Sequence, residues 1–143
     1  ISEAMMEQCR KFTAGIANVA YEIFPRPHIL GLAPYQPNKI FSNSVFIHMT
    51  MFEIVYYLRQ VQQILPPGGL FYFNFNDSDY LAGAEDGYFE DMLGRWTRDP
   101  LEITLMHWNS FQSIRGIAQR IGLELKTVKK AQWGATSVTF FKL

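Results

Sequence analysis

The fold of this chain is decided by residues 39–75, KIFSNSVFIHMTMFEIVYYLRQVQQILPPGGLFYFNF. Lys39 to Ile47 has the apolar character of a β-strand, and Leu70 to Phe75 is apolar on both faces, as a strand of a buried parallel sheet must be. Between them, apolar residues recur at helical spacing, at Ile54, Leu58, Val61 and Leu65. This helix must end at LPPGG, because proline cannot extend it and glycine permits a tight turn. The segment therefore predicts a strand, a helix and a second, parallel strand.

The N-terminal residues predict a helix followed by one short strand. Ser2 can cap a helix that carries Met5, Cys9 and Phe12 on one apolar face, so we expect Cys9 to lie in the core. Two strand candidates follow, separated by prolines, and only one of them need form; they are Asn18–Phe24 and Ile29–Ala33.

The C-terminal third predicts a helix and a hairpin. A long irregular stretch, Asn76 to Trp108, comes first. Asn109 or Ser110 then caps a helix that ends at Gly122, where a residue with a left-handed backbone is favoured. Leu123–Lys130 and Thr136–Leu143 alternate in polarity around a turn at Gly134, as two antiparallel strands do.

The amino-acid composition limits the kinds of molecule that we expect this protein to bind. The 143 residues suffice for one domain, and 13 basic side chains balance 13 acidic ones. Without a net charge there is no overall field to attract DNA or an anionic membrane, so we expect a small-molecule partner and neither of those two. The single cysteine fits a reducing cytoplasm, and no apolar run reaches the length of a membrane span. The sequence does not indicate the oligomeric state.

Several of these segments together resemble the class I S-adenosylmethionine-dependent methyltransferases. IFSNSVFIHM and YLRQVQQILPPGGLFYFNF are similar to the family's fourth strand, following helix, turn and fifth strand. FQSIRGIAQRIGLEL and TSVTFFKL are similar to the next helix, the sixth strand and the closing antiparallel strand, and ISEAMMEQCRK to the helix after the second strand. The resemblance covers nearly the whole chain.

The resemblance implies a Rossmann-like α/β sheet, mostly parallel with a C-terminal antiparallel hairpin and without its first two strands. The family's strand order is 3-2-1-4-5-7-6, and its glycine-rich loop and ribose-binding acid would precede Ile1. We therefore expect one partial domain, residues 1–143, with 76–108 as a substrate-side insertion or lid. Residues 1–143 alone are expected to be marginally stable and to bind the cofactor weakly.

The same resemblance indicates which residues hold S-adenosylmethionine. Ligands of open α/β sheets lie beyond the carboxyl ends of the strands. The predicted cofactor residues are Ile1, Ser2, Leu32, Ala33, Ser42, Asn43 and Ser44. The pattern departs from the family at Asn38 and Leu32, where many members carry acids.

His48 follows the fourth strand of the resemblance and is the candidate catalytic base. Methyl transfer requires mainly positioning, and a base is useful where the nucleophile must lose a proton. The alternative is that His48 caps or packs the next helix.

Aromatic residues and histidine in the irregular stretch could form a lid over the acceptor, or the core of a small insertion. The predicted substrate residues are Tyr80, Tyr88, Phe89, Trp96, His107 and Trp108. Asp77 and Asp79 are expected to be solvated loop acids and not metal ligands. No zinc site is expected from His28, His48 and His107, which are too dispersed.

The leading functional hypothesis is methyl transfer to a small molecule by a larger enzyme of which this chain is a part. The alternative is a degenerate methyltransferase-like domain that serves as an interaction or scaffold module. A dehydrogenase ranks last, because its glycine-rich fingerprint is absent from these residues.

Overall fold

The computed structural model describes residues 3–22, 28–82, 90, 94, 97–98, 106–131 and 134–143. Its helices are α1 (Glu3–Phe12), α2 (Met51–Ile64), α3 (Ser78–Ala82) and α4 (Phe111–Arg120), with 3-10 helices at Leu30–Tyr35 and Phe46–His48. Its strands are β1 (Lys39–Ser42), β2 (Leu70–Asp77), β3 (Trp108–Asn109), β4 (Leu123–Lys130) and β5 (Ala135–Lys142). Among these described residues, no helix is long and apolar enough to cross a membrane.

The predicted strand–helix–strand unit is confirmed. β1 pairs with β2 in parallel, from Lys39 opposite Leu70 to Ser42 opposite Phe73, and α2 connects them. The sheet runs β1-β2-β5-β4, with β5 antiparallel to both of its neighbours and the short β3 parallel to the end of β2. This is the 4-5-7-6 portion of the expected order, including the C-terminal hairpin.

One face of the sheet carries the core. Every second residue of β2 points towards α2 and α4, and the aromatic rings of Phe71 and Phe73 stack at 4.9 Å. Fully buried residues of α2, α4 and β5 complete this cluster, among them Ile54, Leu58, Val61, Ile114, Ala118, Val138 and Phe140. Burial of these side chains, at about 1.5–3 kcal/mol each for the larger ones, is the main term that holds the helices on the sheet.

The N-cap of α4 is Ser110, whose hydroxyl accepts a hydrogen bond from the Ser113 N–H. Of the two predicted caps, Asn109 and Ser110, the second is therefore confirmed. Gly122 ends this helix region with a φ of 83°, and Gly134 makes the hairpin turn with a φ of 74°. Both predicted glycine positions are therefore confirmed. Glycine is favoured at such angles because it has no Cβ that would be strained there.

Two N-terminal predictions are wrong, the burial of Cys9 and the presence of a strand between α1 and β1. Met5, Cys9 and Phe12 are exposed, Phe12 by 84%, and the buried residue of α1 is Met6. Helical spacing shows which residues share a face of the helix, but it does not show which face packs against the rest of the protein. Neither strand candidate forms among the described residues: 18–22 is irregular, and Leu30–Tyr35 is a 3-10 helix. Pro34 lies inside that helix and supplies no N–H to a strand ladder.

Two strand boundaries differ from the prediction. β1 ends at Ser42 and not at Ile47, because Ser44 has a left-handed backbone with a φ of 57°, which an extended strand excludes. β2 continues to Asp77, beyond the predicted start of the irregular stretch, because β3 pairs with its last two residues. Both changes bring polar side chains to the carboxyl edge of the sheet.

Candidate functional site

The polar residues after β1 form a sharp turn at the carboxyl edge of the sheet. The N–H of Ser44 donates a 2.6 Å hydrogen bond to Oδ1 of Asn74, which lies on β2. A left-handed backbone costs a residue other than glycine roughly 1–2 kcal/mol, and such strain concentrates at functional sites. The hydrogen bond to Asn74 stabilises this conformation and ties the turn to the neighbouring strand.

A cavity of about 280 Å³ opens beside this turn, between β1, α2 and the first 3-10 helix. Its lining residues are Ile29, Leu32, Ile40, Phe41, Ser42, Val45, Phe46, Met49, Tyr57 and Phe71. The walls are apolar apart from the hydroxyl groups of Ser42 and Tyr57. Since small-molecule sites measure about 300–1,000 Å³, this cavity suits a single ring system or part of a larger ligand.

The wall that contains Leu32 is held in place by α2. Oε1 of the buried Gln60 accepts a 2.7 Å hydrogen bond from the N–H of Ile29, immediately before the 3-10 helix. This wall of the cavity is therefore tied to a helix residue that lies 31 positions further along the chain.

Two ionisable groups of α2, Tyr57 in the cavity wall and Glu53 in the first turn of the helix, have shifted pKa values. Burial raises the pKa of Tyr57, and the charge of Glu53 adds to this effect, so the phenol stays protonated at neutral pH and can donate a hydrogen bond. Hydrogen bonds from the backbone and then the side chain of Thr50 hold the pKa of Glu53 below its usual value, to which the charge of His107 contributes.

His48 is exposed at the end of the second 3-10 helix, before α2. It does not cap α2: Thr50 is the N-cap, in a capping box with Glu53. The capping part of the alternative for His48 is thus wrong, while packing of His48 on α2 stays a prediction. The catalytic role itself stays a prediction.

Two segments of the sequence-predicted substrate wall meet beside the loop of His48. The N–H of His107 donates a 2.8 Å hydrogen bond to the carbonyl of Ile47, and Trp108 lies next to Asn76 in the sheet. Tyr80 is in α3, which packs beside β3. These three residues are therefore grouped around the carboxyl end of β2.

Of the predicted cofactor residues, the structure brings Leu32 and Ser42 together in the cavity. Asn43 and Ser44 are exposed on the adjoining turn, and Ala33 is exposed and not part of the cavity wall. Ile1, Ser2, Tyr88, Phe89 and Trp96 lie outside the described residues.

Asp77 is not a solvated loop acid, contrary to the prediction. It is 0% exposed, and its carboxyl group accepts hydrogen bonds from the Thr136 hydroxyl at 2.8 Å and from the backbone N–H groups of Phe111 and Asp79 at 3.3 Å and 3.0 Å. Asp79 is exposed but accepts from the Ser110 hydroxyl and the Gln112 N–H. Through these hydrogen bonds the two aspartates join β2, β5 and the start of α4. The buried carboxyl group of Asp77 has its partners there, as buried polar groups generally do.

Sequence reasoning missed Asn74 and Gln60 as supports of the site. Each is a polar residue at a position where periodicity predicts an apolar neighbourhood, in a strand for Asn74 and on a buried helical face for Gln60. That mismatch is the signal that identifies them.

No family model matches the chain, and no curated protein is similar to it in sequence. Solved structures do match. An O-methyltransferase family protein from Burkholderia thailandensis has a TM-score of 0.67 and 10% identity over 98% of this chain and 41% of its own. A magnesium protoporphyrin IX methyltransferase from Synechocystis PCC 6803 with bound SAH has the same TM-score and identity, over 98% of this chain and 59% of its own.

A family 2 O-methyltransferase from Planctomyces limnophilus in complex with apigenin has a TM-score of 0.59 and 14% identity, over 99% of this chain and 41% of its own. The chain thus spans roughly two fifths to three fifths of the length of these three structures. At such identities the likeness establishes the fold. It is that of the C-terminal portion of class I S-adenosylmethionine-dependent methyltransferases.

Proposed function

We propose that the protein carrying this chain transfers a methyl group from S-adenosylmethionine to a small-molecule acceptor. The observation that supports it best is the position of the cavity. It lies at the carboxyl end of β1, where open α/β sheets bind ligands, and it contains both Leu32 and Ser42. The structural neighbours with this fold include methyltransferases, one of them with SAH.

The donor groups of the cavity fit part of this cofactor. Leu32, Ile29 and Ile40 offer apolar contact to a flat ring such as adenine, while the hydroxyl of Ser42 and the protonated phenol of Tyr57 can hydrogen-bond its nitrogen atoms. When bound, the cofactor supplies an electrophilic methyl group on a sulfonium. The turn at Asn43 and Ser44 presents polar groups beside the cavity.

His48 acts in this proposal as the base that takes a proton from the acceptor. The neutral imidazole ring has a nitrogen that can accept a proton, which is what this role requires. His48 is exposed on the loop between β1 and α2, and is thus accessible to an acceptor. His107, Trp108 and Tyr80 form the acceptor wall around the end of β2.

A small molecule is favoured over a nucleic acid because the chain has a net charge of +0 and apolar cavity walls. One neighbour with the fold is in complex with apigenin, which supports the same class of acceptor. The proposal includes a cytoplasmic location, for which the single cysteine is the support.

Calorimetric titration of the full-length protein with S-adenosylmethionine and with SAH tests the proposal. Saturable binding of both is expected, and absence of both would favour the scaffold alternative. The role of His48 is tested separately with His48→Gln, which should keep cofactor affinity and lower the rate of methyl transfer about 10²-fold or more.

A further inference from the structure

We propose that Asn109 is a positioning residue for His48, because it helps to clamp the main chain on both sides of that histidine. The inference rests on the proposed role of His48 as the base. Asn109 does not contact the reacting atoms in this account, and it acts only through the loop.

The clamp consists of two hydrogen bonds from one segment. The N–H of His107 donates to the carbonyl of Ile47 at 2.8 Å, and Nδ2 of Asn109 donates to the carbonyl of Met49 at 2.9 Å. Ile47 and Met49 are the residues immediately before and after His48. The main-chain direction on both sides of His48 is therefore restrained.

The clamp adds to the loop's own short-range hydrogen bonds, from the His48 N–H to the Val45 carbonyl and from the Met49 N–H to the Phe46 carbonyl. Phe46–His48 is a single 3-10 turn of three residues, and this conformation has poor hydrogen-bond geometry of its own. Asn109 is only 4% exposed, so the bond from its amide to Met49 is shielded from water that would compete with it.

The clamp is fixed to the carboxyl edge of the sheet. Asn109 belongs to β3 and lies opposite Asp77 of β2, while the next residue, Ser110, donates its hydroxyl hydrogen bond to Asp79 at 3.0 Å. His48 is thereby placed relative to the same strand end that holds the turn at Ser44 through Asn74. The proposed base and the turn beside the proposed cofactor pocket are therefore both attached to the carboxyl end of β2.

The test compares Asn109→Asp with Ile114→Val in the full-length protein. Asn109→Asp keeps the shape of the side chain but replaces the donor NH₂ with an oxygen that repels the Met49 carbonyl. Ile114→Val shortens a fully buried side chain of α4 and serves as the control for a general loss of stability in this region. The readouts are the NMR resonances of the His48 ring and of the backbone amides of residues 46–50, together with kcat and KM.

The inference predicts that Asn109→Asp shifts the His48 resonances and lowers kcat by about 10- to 100-fold, with the KM for S-adenosylmethionine nearly unchanged. Ile114→Val should leave the resonances and kcat close to those of the unmodified protein.

Unmoved His48 resonances in Asn109→Asp would overturn the inference, even if activity falls, and so would equal shifts in Ile114→Val. If His48→Gln has the full rate of methyl transfer, the proposed base is wrong. The resonances alone then decide whether Asn109 holds the loop.

Discussion

The buried carboxyl group of Asp77 offers a sharp test of how the edge of the sheet is assembled. Asp77→Ala removes the acceptor for three hydrogen bonds, from the Thr136 hydroxyl and from the N–H groups of Phe111 and Asp79. Thr136 and Asp77 are both 0% exposed, so water cannot replace the lost partner without rearrangement. Each buried donor left without a partner costs about 1–3 kcal/mol.

With the Thr136 hydroxyl and the Phe111 N–H buried, the expected loss is about 2–5 kcal/mol of unfolding free energy. Asp77→Asn should cost much less, because its oxygen can still accept from the two N–H groups and its NH₂ can donate to the Thr136 oxygen. Urea unfolding of both variants measures the difference. Asp79→Ala is the matched control at an exposed carboxyl group, where we expect a loss of about 1 kcal/mol or less.

A loss below about 0.5 kcal/mol for Asp77→Ala would refute this reasoning, since that is the range of ordinary surface substitutions. A double-mutant cycle of Asp77→Ala with Thr136→Val checks the pair directly, because each single variant removes the hydrogen bond. The coupling energy should be about 0.5–3 kcal/mol if the 2.8 Å bond is the main contact of the Thr136 hydroxyl.

Three further predictions concern the helix cap, the turn and the cavity. The pKa of Glu53 is lowered in the folded state by hydrogen bonds first from the backbone N–H and then from the hydroxyl of Thr50. The contribution of Glu53 to stability is therefore present above its unfolded pKa and is lost as the pH falls through the folded value. Thr50→Ala removes the hydroxyl but keeps the backbone N–H, so in denaturant titrations from pH 7 to pH 3 it should reduce this loss in part and cost about 1 kcal/mol at pH 7; a larger pH dependence than in the unmodified protein would contradict the assignment. Gly69→Ala should destabilise the protein by about 1–3 kcal/mol, because the new Cβ would lie 2.9 Å from the Pro66 carbonyl oxygen. Gly15→Ala is the control: with no atom within 4 Å of its Cβ, it should leave the melting temperature nearly unchanged. Equal melting temperatures of the two variants would argue against the clash. Leu32→Trp should fill the cavity and weaken SAH binding about tenfold or more in calorimetry, which corresponds to a loss of about 1.4 kcal/mol of binding free energy. Tyr35→Trp, at the exposed end of the same 3-10 helix, is the control, and equal affinity in both variants would exclude the cavity as the binding site.

The sequence predicts the core of the fold well because its signals are local. The helical period from Ile54 to Leu65, the LPPGG stop and the apolar run from Leu70 each lie within a few residues and do not depend on distant contacts. The same holds for the end of α4 at Gly122 and the hairpin turn at Gly134.

The failures have a common physical cause, which is dependence on partners far away in sequence. Asp77 reads as a loop acid because its partners Phe111 and Thr136 lie 34 and 59 residues further along the chain. The strand from Lys39 is cut short by Ser44, whose left-handed backbone is held by Asn74, 30 residues away. Exposure of Cys9 likewise depends on what surrounds α1 and not on its own spacing.

The candidate site was predictable in part. Residue types and the strand ends point to Leu32, Ser42 and His48, but the cavity that the first two line also depends on the position of the 3-10 helix, which a hydrogen bond from Ile29 to the distant Gln60 ties to α2. The clamp on the His48 loop from His107 and Asn109 spans about 60 residues and has no local signature.

The most direct test of the account is amide chemical-shift mapping of the full-length protein during titration with SAH. Saturable shifts are expected at Leu32, Ser42 and Ser44, around the cavity and the turn after β1. Shifts confined to the β4 and β5 hairpin, or none that saturate, would contradict the proposal that this edge of the sheet holds the methyl donor.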